Sequence, residues 1–258
     1  ETTESGRPTS TKKGIDARTK SSKTPAQWSM IDERIEGSGD MEDDQMVVVI
    51  VEENDAGTED GDDHDGGDGD HAERRERRIT RAILEVLAEF NHPVGIVTKS
   101  ALVTRDIDIL ASMAKKGLVK VALSVTTLDP KLARAMEPRA ATPAKRLAAM
   151  EQLSAAGIPT VVMVAPIIPA VNDSEIEAIL SAARTAGASE AGYVMLRLPH
   201  EVKEVFKDWL HATMPERAGK VMSLVRSSSG GKEYEAGFGV RQTGTGPYAW
   251  TIGRRFEL

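Results

Sequence analysis

Short apolar runs that alternate with segments of helical periodicity constrain the fold of this chain more than any other feature. Three runs occupy residues 94–98, 119–125 and 159–165, and a fourth occupies residues 192–197. Strands that are apolar throughout are typical of a parallel sheet whose two faces are both covered. The alternation of such strands with helices indicates right-handed β-α-β connections. The sequence therefore predicts an α/β fold, either a parallel sheet or part of a barrel.

Capping signals place helices between the strands. Asp129-Pro130 and Thr142-Pro143 each combine an N-cap residue with a proline at the first helical position. Asn172-Asp173 offers a further N-cap. Glycines that can end a helix in the left-handed conformation follow three of the helices: Gly117, Gly157 and Gly187. The helices are predicted at residues 79–90, 107–114, 130–136, 143–156, 174–186, 201–212 and 214–226, with a last turn at 248–252.

The first 75 residues differ from the remainder in composition and charge. They carry 21 acidic and 9 basic side chains, whereas residues 76–258 carry 19 acidic and 24 basic ones. Residues 1–45 and 52–75 lack an apolar period, so we predict that residues 1–75 are a mostly disordered, acidic segment preceding a folded domain over 76–258. The apolar run at 46–51 predicts one strand that has no local partner.

Absent residues and motifs exclude several kinds of site. The chain contains no cysteine, which excludes disulfides, thiolate zinc sites and any iron–sulfur cluster held by its own thiolates. The acidic tract does not match a calcium-binding EF-hand loop, and the five histidines form no helical metal-binding pair, so no metal site is predicted. No dinucleotide-binding motif, phosphate-binding loop or nucleophile elbow is present. Without a membrane-length apolar run or a signal segment, we expect a cytoplasmic protein with no membrane partner.

Polar side chains at the strand ends are the candidates for a site, because ligands of parallel α/β folds bind where the carboxyl ends of strands converge. Lys99 suits a carboxylate or phosphate, or it reaches solvent. Ser124 contacts a ligand hydroxyl, or it bonds a neighbouring carbonyl. Glu137 lies at the mouth of the site or, as its Pro-Arg context favours, in a solvated turn. Arg197 pairs with an anionic ligand or, as we favour, with Glu201 or a helix end.

From about residue 77 to residue 258, the sequence resembles the later part of radical S-adenosylmethionine (radical SAM) proteins. It is most similar to the spore photoproduct lyase-like branch. The resemblance is carried by motifs at successive strand ends and in the helices and turns that follow them: Val97-Thr98-Lys99-Ser100, Ala122-Leu123-Ser124-Val125-Thr126, Met136-Glu137-Pro138-Arg139, Thr142-Pro143-Ala144-Lys145-Arg146-Leu147, Gly157-Ile158-Pro159, Met163 to Asp173, and Gly246-Pro247-Tyr248 to Phe256.

The resemblance implies a partial (β/α)6 TIM-like barrel that binds S-adenosylmethionine and a [4Fe–4S] cluster. It implies that Lys99 and Ser124 contact the cofactor and that the Ala165-Pro166 turn lies on its adenine side. The implied activity is radical chemistry on an unknown substrate, with a nucleic acid as the candidate suggested by the lyase, and with a reductase or other electron donor as partner.

The sequence departs from this family in its first part. The family's Cys-x3-Cys-x2-Cys loop is missing, and the first barrel strands have no recognisable counterpart, so the strand at 94–98 is expected to have an uncovered edge. We interpret the chain as truncated or altered, and we do not expect it to be active as an enzyme alone. Two alternatives stay open: a non-enzymatic remnant that binds S-adenosylmethionine at most, and an interaction module with an acidic tail.

Overall fold

Five strands form one parallel sheet in which each strand pairs with the next along the chain. The computed structural model describes residues 47–51, 69–234 and 242–257, and it describes side-chain surroundings from residue 79 onward. The strands are β1 (Val47–Val51), β2 (Val94–Thr98), β3 (Val119–Ser124), β4 (Thr160–Ile167) and β5 (Glu190–Met195). This sheet and its helices confirm the predicted α/β class, and they are consistent with a partial TIM-like barrel.

Eight α-helices connect or follow the strands in the described ranges. They are α1 (Gly69–Glu89), α2 (Ile107–Ala114), α3 (Pro130–Met136), α4 (Pro143–Ala155), α5 (Ile176–Thr185), α6 (Val202–Thr213), α7 (Pro215–Ser227) and α8 (Gly246–Arg254). Short 3-10 turns precede two of them, at Ala101–Asp106 and Asp173–Glu175. None of the helices described here is both long enough and apolar enough to cross a membrane.

The two faces of the sheet are covered differently. On one face, strand residues such as Ile96, Val121 and Val164 form a single buried core with helix residues such as Leu110 and Ile179. Residues on the opposite face form a smaller cluster made only of strand side chains within the described ranges: Val97, Ala122, Val161, Met163, Ala165 and Val194. Alternate residues of a strand point to opposite faces, so the second face is the inner, helix-free side of the partial barrel.

The two ends of the inner face are also distinct. At the amino end, Lys120 Nζ of β3 donates to both carboxylate oxygens of Glu190 on β5, at 2.8 and 2.9 Å, across the intervening strand. Beyond the carboxyl end, α3, α6 and α7 share a separate apolar core with residues of the strand-end loops, including Ile168 and Leu198. The loops that follow β4 and β5 are therefore held by packing.

The structure corrects two expectations about the N-terminal part. The apolar run predicted at 46–51 does form a strand, and β1 pairs with β2 in parallel along its whole length, from Val47 opposite Val94 to Val51 opposite Thr98. The edge of β2 is therefore covered, and the expectation of an uncovered edge was wrong. Helix α1 begins at Gly69, ten residues before the predicted start, and so includes residues 69–75. Residues 1–46 and 52–68 lie outside the described ranges.

Only part of the apolar stripe predicted for α1 is packed. Leu84 is 1% exposed and joins the core beneath the sheet, and Leu87 packs against that core. The exposed apolar residues lie along another line of the helix at helical spacing: Ile79, Ile83, Val86 and Phe90. Helix α1 therefore has one face against the sheet and a second apolar face toward solvent within the described structure.

The three predicted helix-ending glycines adopt the left-handed conformation. Gly187 has φ +90° and follows α5, where its Cα faces Ser154 of α4 so closely that an added Cβ would lie 2.6 Å from the Ser154 Cβ. Gly157 has φ +76° and open space where its Cβ would be. Both positions require glycine for backbone reasons, and Gly187 requires it also for the approach of α4.

We predict that Gly187→Ala lowers the free energy of unfolding by about 2–4 kcal/mol, because left-handed strain and overpacking act together. The matched Gly157→Ala variant has the strain alone and should cost about 1 kcal/mol. Urea denaturation followed by circular dichroism measures both values. Equal losses in the two variants would contradict the close approach of Ser154.

Candidate functional site

The strand register brings the predicted site residues to one edge and one face of the sheet. Thr98 pairs with Leu123 and Ser124 pairs with Met163, so the next residue after β2, Lys99, lies beside Ser124. Ala165 follows Met163 by two residues and belongs to the same inner-face cluster. Three neighbouring strands therefore present Lys99, Ser124 and Ala165 at the carboxyl end of the inner face, as expected for a site of a parallel α/β fold.

The carboxylate of Glu137 is the centre of an ion network at this edge. Lys99 Nζ lies 2.7 Å from one carboxylate oxygen, and Thr126 Oγ1 donates to the same oxygen at 3.1 Å. Arg146 Nη2 donates to the other oxygen at 2.6 Å. The Glu137 side chain is only 11% exposed, so the prediction of a solvated turn was wrong, and the alternative of a carboxylate at the mouth is correct.

The guanidinium of Arg146 is buried, with 2% of the side chain exposed. Besides its bond to Glu137, it donates from Nε to the carbonyl of Ala141 at 2.7 Å and from Nη1 to the carbonyl of Ser124 at 2.8 Å. It thereby ties the start of α4 to the end of β3. Sequence reasoning assigned Arg146 no role, although it occupies a position of the buried stripe that continues with Met150 and Leu153, and an arginine in such a stripe is a signal for a buried ion pair.

The network has two positive charges and one negative charge. Burial would raise the pKa of Glu137, but the charges and hydrogen bonds of Lys99 and Arg146 outweigh burial and hold that pKa below its ordinary value. Glu137 is therefore ionised near neutral pH, and one positive charge stays in excess. Arg146 is enclosed, whereas 41% of the Lys99 side chain is exposed. Lys99 is thus the group of this network that can meet an anionic ligand.

Ser124 differs from the ordinary case of a hydroxyl buried in a strand. It is 5% exposed, and its backbone carbonyl accepts from Arg146. No hydrogen bond joins its Oγ to another group in the described part of the chain, so the reading of a hydroxyl bonded to a neighbouring carbonyl is not observed. The hydroxyl keeps its donor and both lone pairs for another partner.

A second set of hydrogen bonds joins the loops after β3 and β4. Asn172, 1% exposed, donates from Nδ2 to the carbonyls of Thr126 and Pro166, at 2.7 and 3.0 Å, and its Oδ1 accepts from the Ile168 amide at 2.7 Å. The prediction that Asn172 caps the next helix was wrong, because its side chain makes no cap bond. Glu175 adds to this connection by accepting from Thr127 Oγ1 at 2.6 Å and from the Leu128 amide at 2.7 Å.

The turn at Ala165 and Pro166 uses its carbonyl groups within the protein. The Ala165 carbonyl lies 3.3 Å from Thr126 Oγ1, which shares its single O–H between this carbonyl and Glu137, and the Pro166 carbonyl accepts from Asn172. Both residues are partly buried. The turn is therefore fixed against the loop that follows β3, at the same edge as Ser124.

Arg197 was expected to bridge to Glu201 or to a helix end, and the structure shows neither contact. Its Nη2 donates to the Tyr234 hydroxyl at 3.3 Å, and its guanidinium carbon lies 6.0 Å from the centre of the Tyr234 ring. Arg197 follows β5, so it lies at the carboxyl edge on the far side of the sheet from β2.

The donor set does not fit an iron–sulfur cluster. Such clusters are held by cysteine thiolates, and none of the 258 residues is a cysteine. Histidine and carboxylate side chains offer no substitute within the described ranges, where no three of them approach closely enough to hold a metal ion.

Sequence comparison agrees with this architecture. A model of the radical SAM superfamily matches residues 50–183, which is just over half of the chain and includes the Lys99, Ser124 and Ala165 positions. The chain belongs to the radical SAM superfamily. The match begins within β1.

The relatives found by sequence comparison include uncharacterised proteins. An uncharacterised protein of Mycobacterium tuberculosis and one of Mycobacterium bovis are each 34% identical over 146 residues, which cover 56% of this chain and 43% of the relative. An uncharacterised protein of Acidianus two-tailed virus is 37% identical over 90 residues, covering 35% of this chain and 29% of the viral protein. The chain thus spans less than half the length of these curated relatives.

We predict that Glu137→Gln lowers the free energy of unfolding by about 3–5 kcal/mol, because it leaves the buried Arg146 guanidinium without its counter-charge. Glu151→Gln is the matched control: Glu151 is exposed on α4, and its loss should change stability by less than about 0.5 kcal/mol. Urea denaturation at neutral pH compares the two variants. A Glu137→Gln protein as stable as the control would show that the network contributes nothing.

The same carboxylate makes stability dependent on pH. Because the pKa of Glu137 is lower in the folded protein than in the unfolded chain, its contribution is fully present above the ordinary value of 4.5 and is lost as the pH falls through the folded-state pKa. Acidification below about pH 4.5 should therefore destabilise the wild type. The difference in unfolding free energy between wild type and Glu137→Gln should narrow over that range; a constant difference would contradict the lowered pKa.

Asn172→Asp tests the connection between the two loops. A carboxylate has no donor for the carbonyls of Thr126 and Pro166, so we expect a loss of about 2–4 kcal/mol in unfolding free energy. Asp129→Asn makes the reverse exchange at the N-cap of α3, where either residue serves, and should be nearly neutral. Thermal unfolding of the two variants distinguishes them, and similar melting temperatures would be the contrary result.

Proposed function

We propose that the carboxyl edge of the inner face binds S-adenosylmethionine, and that the protein belongs to the spore photoproduct lyase-like branch of its superfamily. The observation that carries this proposal is the placement of Lys99 beside Ser124 on neighbouring strands. The ion network around Glu137 leaves a positive charge in excess there, and Lys99 is its exposed member.

The chemistry of these groups suits different parts of S-adenosylmethionine. The Lys99 ammonium suits the carboxylate of the methionyl group, since a partly exposed lysine pairs readily with an anion. The Ser124 hydroxyl suits a hydroxyl of the ribose, for which it can both donate and accept. The Ala165-Pro166 turn, fixed by Thr126 and Asn172, would lie on the adenine side. Glu137 and Arg146 then act as positioning residues, since they hold Lys99 and the end of β3.

Radical chemistry on S-adenosylmethionine is what the superfamily indicates for the whole protein, and we propose a nucleic acid as its substrate and an external reductase as its electron donor. The residues of this chain do not fit the [4Fe–4S] cluster that supplies the electron in this superfamily. Any such activity therefore requires thiolates that are not among these 258 residues. Cofactor binding at the sheet edge does not depend on them in this proposal.

Isothermal titration calorimetry of the purified chain with S-adenosylmethionine tests the proposal. Wild type should bind one equivalent, and Lys99→Gln and Ser124→Ala should each weaken binding about tenfold, which corresponds to about 1.4 kcal/mol. Lys145→Gln removes the same charge from an exposed residue next to Arg146 and should bind as wild type does.

Two outcomes would overturn the assignment. If wild type takes up no S-adenosylmethionine, this edge is not a cofactor site. If wild type binds but Lys99→Gln and Ser124→Ala bind equally well, the cofactor occupies another surface. Circular dichroism of each variant separates a lost contact from a lost fold.

A further inference from the structure

A single row of residues crosses the inner face of the sheet at the level of Lys99 and Ser124. The register pairs Ser124 of β3 with Met163 of β4, and Met163 with Gly192 of β5. Met163 belongs to the inner-face cluster, and paired residues of neighbouring parallel strands point to the same face. Gly192 is therefore the fourth member of the row that begins with Lys99 and Ser124.

Gly192 is a glycine that its own backbone conformation does not require. It lies inside β5, and its φ is outside the left-handed region, so the backbone would accept an alanine. A glycine inside a strand lowers stability and often marks a place where another group approaches closely. The group here is Met163, because a Cβ added at Gly192 would lie 2.8 Å from the Met163 Sδ and 3.4 Å from its Cε.

The Met163 side chain thus extends toward β5 and away from Ser124, which lies on the other side of β4. The Ser124 hydroxyl makes no hydrogen bond to the residues that the structure describes, yet its oxygen is not fully enclosed. Neighbouring strands are only about 4.8 Å apart, so a thioether that turned toward β3 would cover this hydroxyl. The direction of the Met163 side chain therefore decides whether a ligand can reach Ser124.

A side chain at residue 192 would force the Met163 thioether to move. Toward the amino end of the inner face, the next row holds Ala122 and Val161, which are 2% and 1% exposed. Close packing leaves no room for the thioether in that direction. It would move toward Ser124 or toward the carboxyl edge, and both directions lead into the space proposed for the ligand.

We propose that Gly192 is a specificity-determining residue of this site: it lets the Met163 thioether lie over β5 and so keeps the Ser124 hydroxyl open to a hydroxyl group of the ligand. Such a site favours a ligand with a hydroxylated sugar, because a ligand without that hydroxyl leaves the protein's polar group unpaired. This inference rests on the proposed function, since it explains how the same site selects the ribose of S-adenosylmethionine.

Isothermal titration calorimetry of the full chain, with S-adenosylmethionine and with its 2′,3′-dideoxy analogue, tests the inference. Wild type should prefer S-adenosylmethionine by about tenfold, because the analogue leaves Ser124 unpaired. Gly192→Ala should bind S-adenosylmethionine about tenfold more weakly and should bind both ligands equally, because the displaced thioether covers Ser124.

Gly219→Ala is the matched control. Gly219 lies in α7, and no atom lies within 4 Å of the Cβ that it would gain, so this variant should bind both ligands as wild type does. Met163→Ala provides a background in which the thioether is absent. Adding Gly192→Ala to that background should change the affinity by less than about twofold, since there is no thioether left to displace.

Met163→Ile gives a second test if circular dichroism shows that Gly192→Ala is poorly folded. Isoleucine has a similar volume, but its branch at Cβ keeps its bulk over β4 and beside β3, where methionine extends over β5. This variant should also lose the preference for S-adenosylmethionine over the dideoxy analogue.

The contrary results separate this inference from the proposed function. If wild type binds S-adenosylmethionine but folded Gly192→Ala keeps the affinity and the preference, Gly192 does not determine specificity and the cofactor site stands. An equal loss from Gly192→Ala with and without the Met163 thioether would likewise overturn the inference alone. If wild type binds no S-adenosylmethionine, the proposed function is wrong and the inference falls with it.

Discussion

The buried guanidinium of Arg146 is the interaction on which the carboxyl edge of this sheet depends. It bonds the end of β3, the loop before α4 and the Glu137 carboxylate, and Glu137 in turn fixes Lys99 after β2. Removing two charges from water is costly, and the attraction between them offsets that cost only when the geometry is good and the remaining donors are satisfied. Here three guanidinium nitrogens each have an acceptor within 2.8 Å. The result is an edge whose shape is specified by directional bonds in addition to apolar packing.

Local patterns predicted the strands and helices well because their causes are local. Runs of β-branched residues, proline after a capping residue, and glycine after a helix act within a few positions, and the elements from β2 to α7 lie within a few residues of their predicted bounds. The partner of β1 could not be predicted in this way, since β1 and β2 are separated by more than 40 positions and both are uniformly apolar. The early start of α1 was missed because its first turns are charged and carry no apolar period.

The site residues follow the same rule: those with a local sequence signal were predicted, and those whose role depends on tertiary contacts were not. Lys99 and Ser124 were predicted because strand ends are recognisable in the sequence and the family motifs coincide with them. Glu137 was misread because a Glu-Pro-Arg sequence has the composition of an exposed turn, and only the fold reveals two cations around it. Asn172 has the position of a helix cap, yet three backbone groups of neighbouring loops compete for its amide and are better placed. In each case the sequence defines the chemical capacity of the side chain, and the tertiary contacts decide how it is used.

The strand order allows the sheet to fold one β-α unit at a time. Every strand pairs with its sequence neighbour, so each new β-α unit can dock on the edge made by the unit before it while synthesis proceeds. The segment from α8 onward then returns to earlier units: Tyr248 bonds Asp173, Arg255 pairs with Glu177, and Phe256 stacks on Tyr193. The sheet edge that carries the site is ordered by contacts that need no cysteine side chain, and none of the 258 residues is a cysteine.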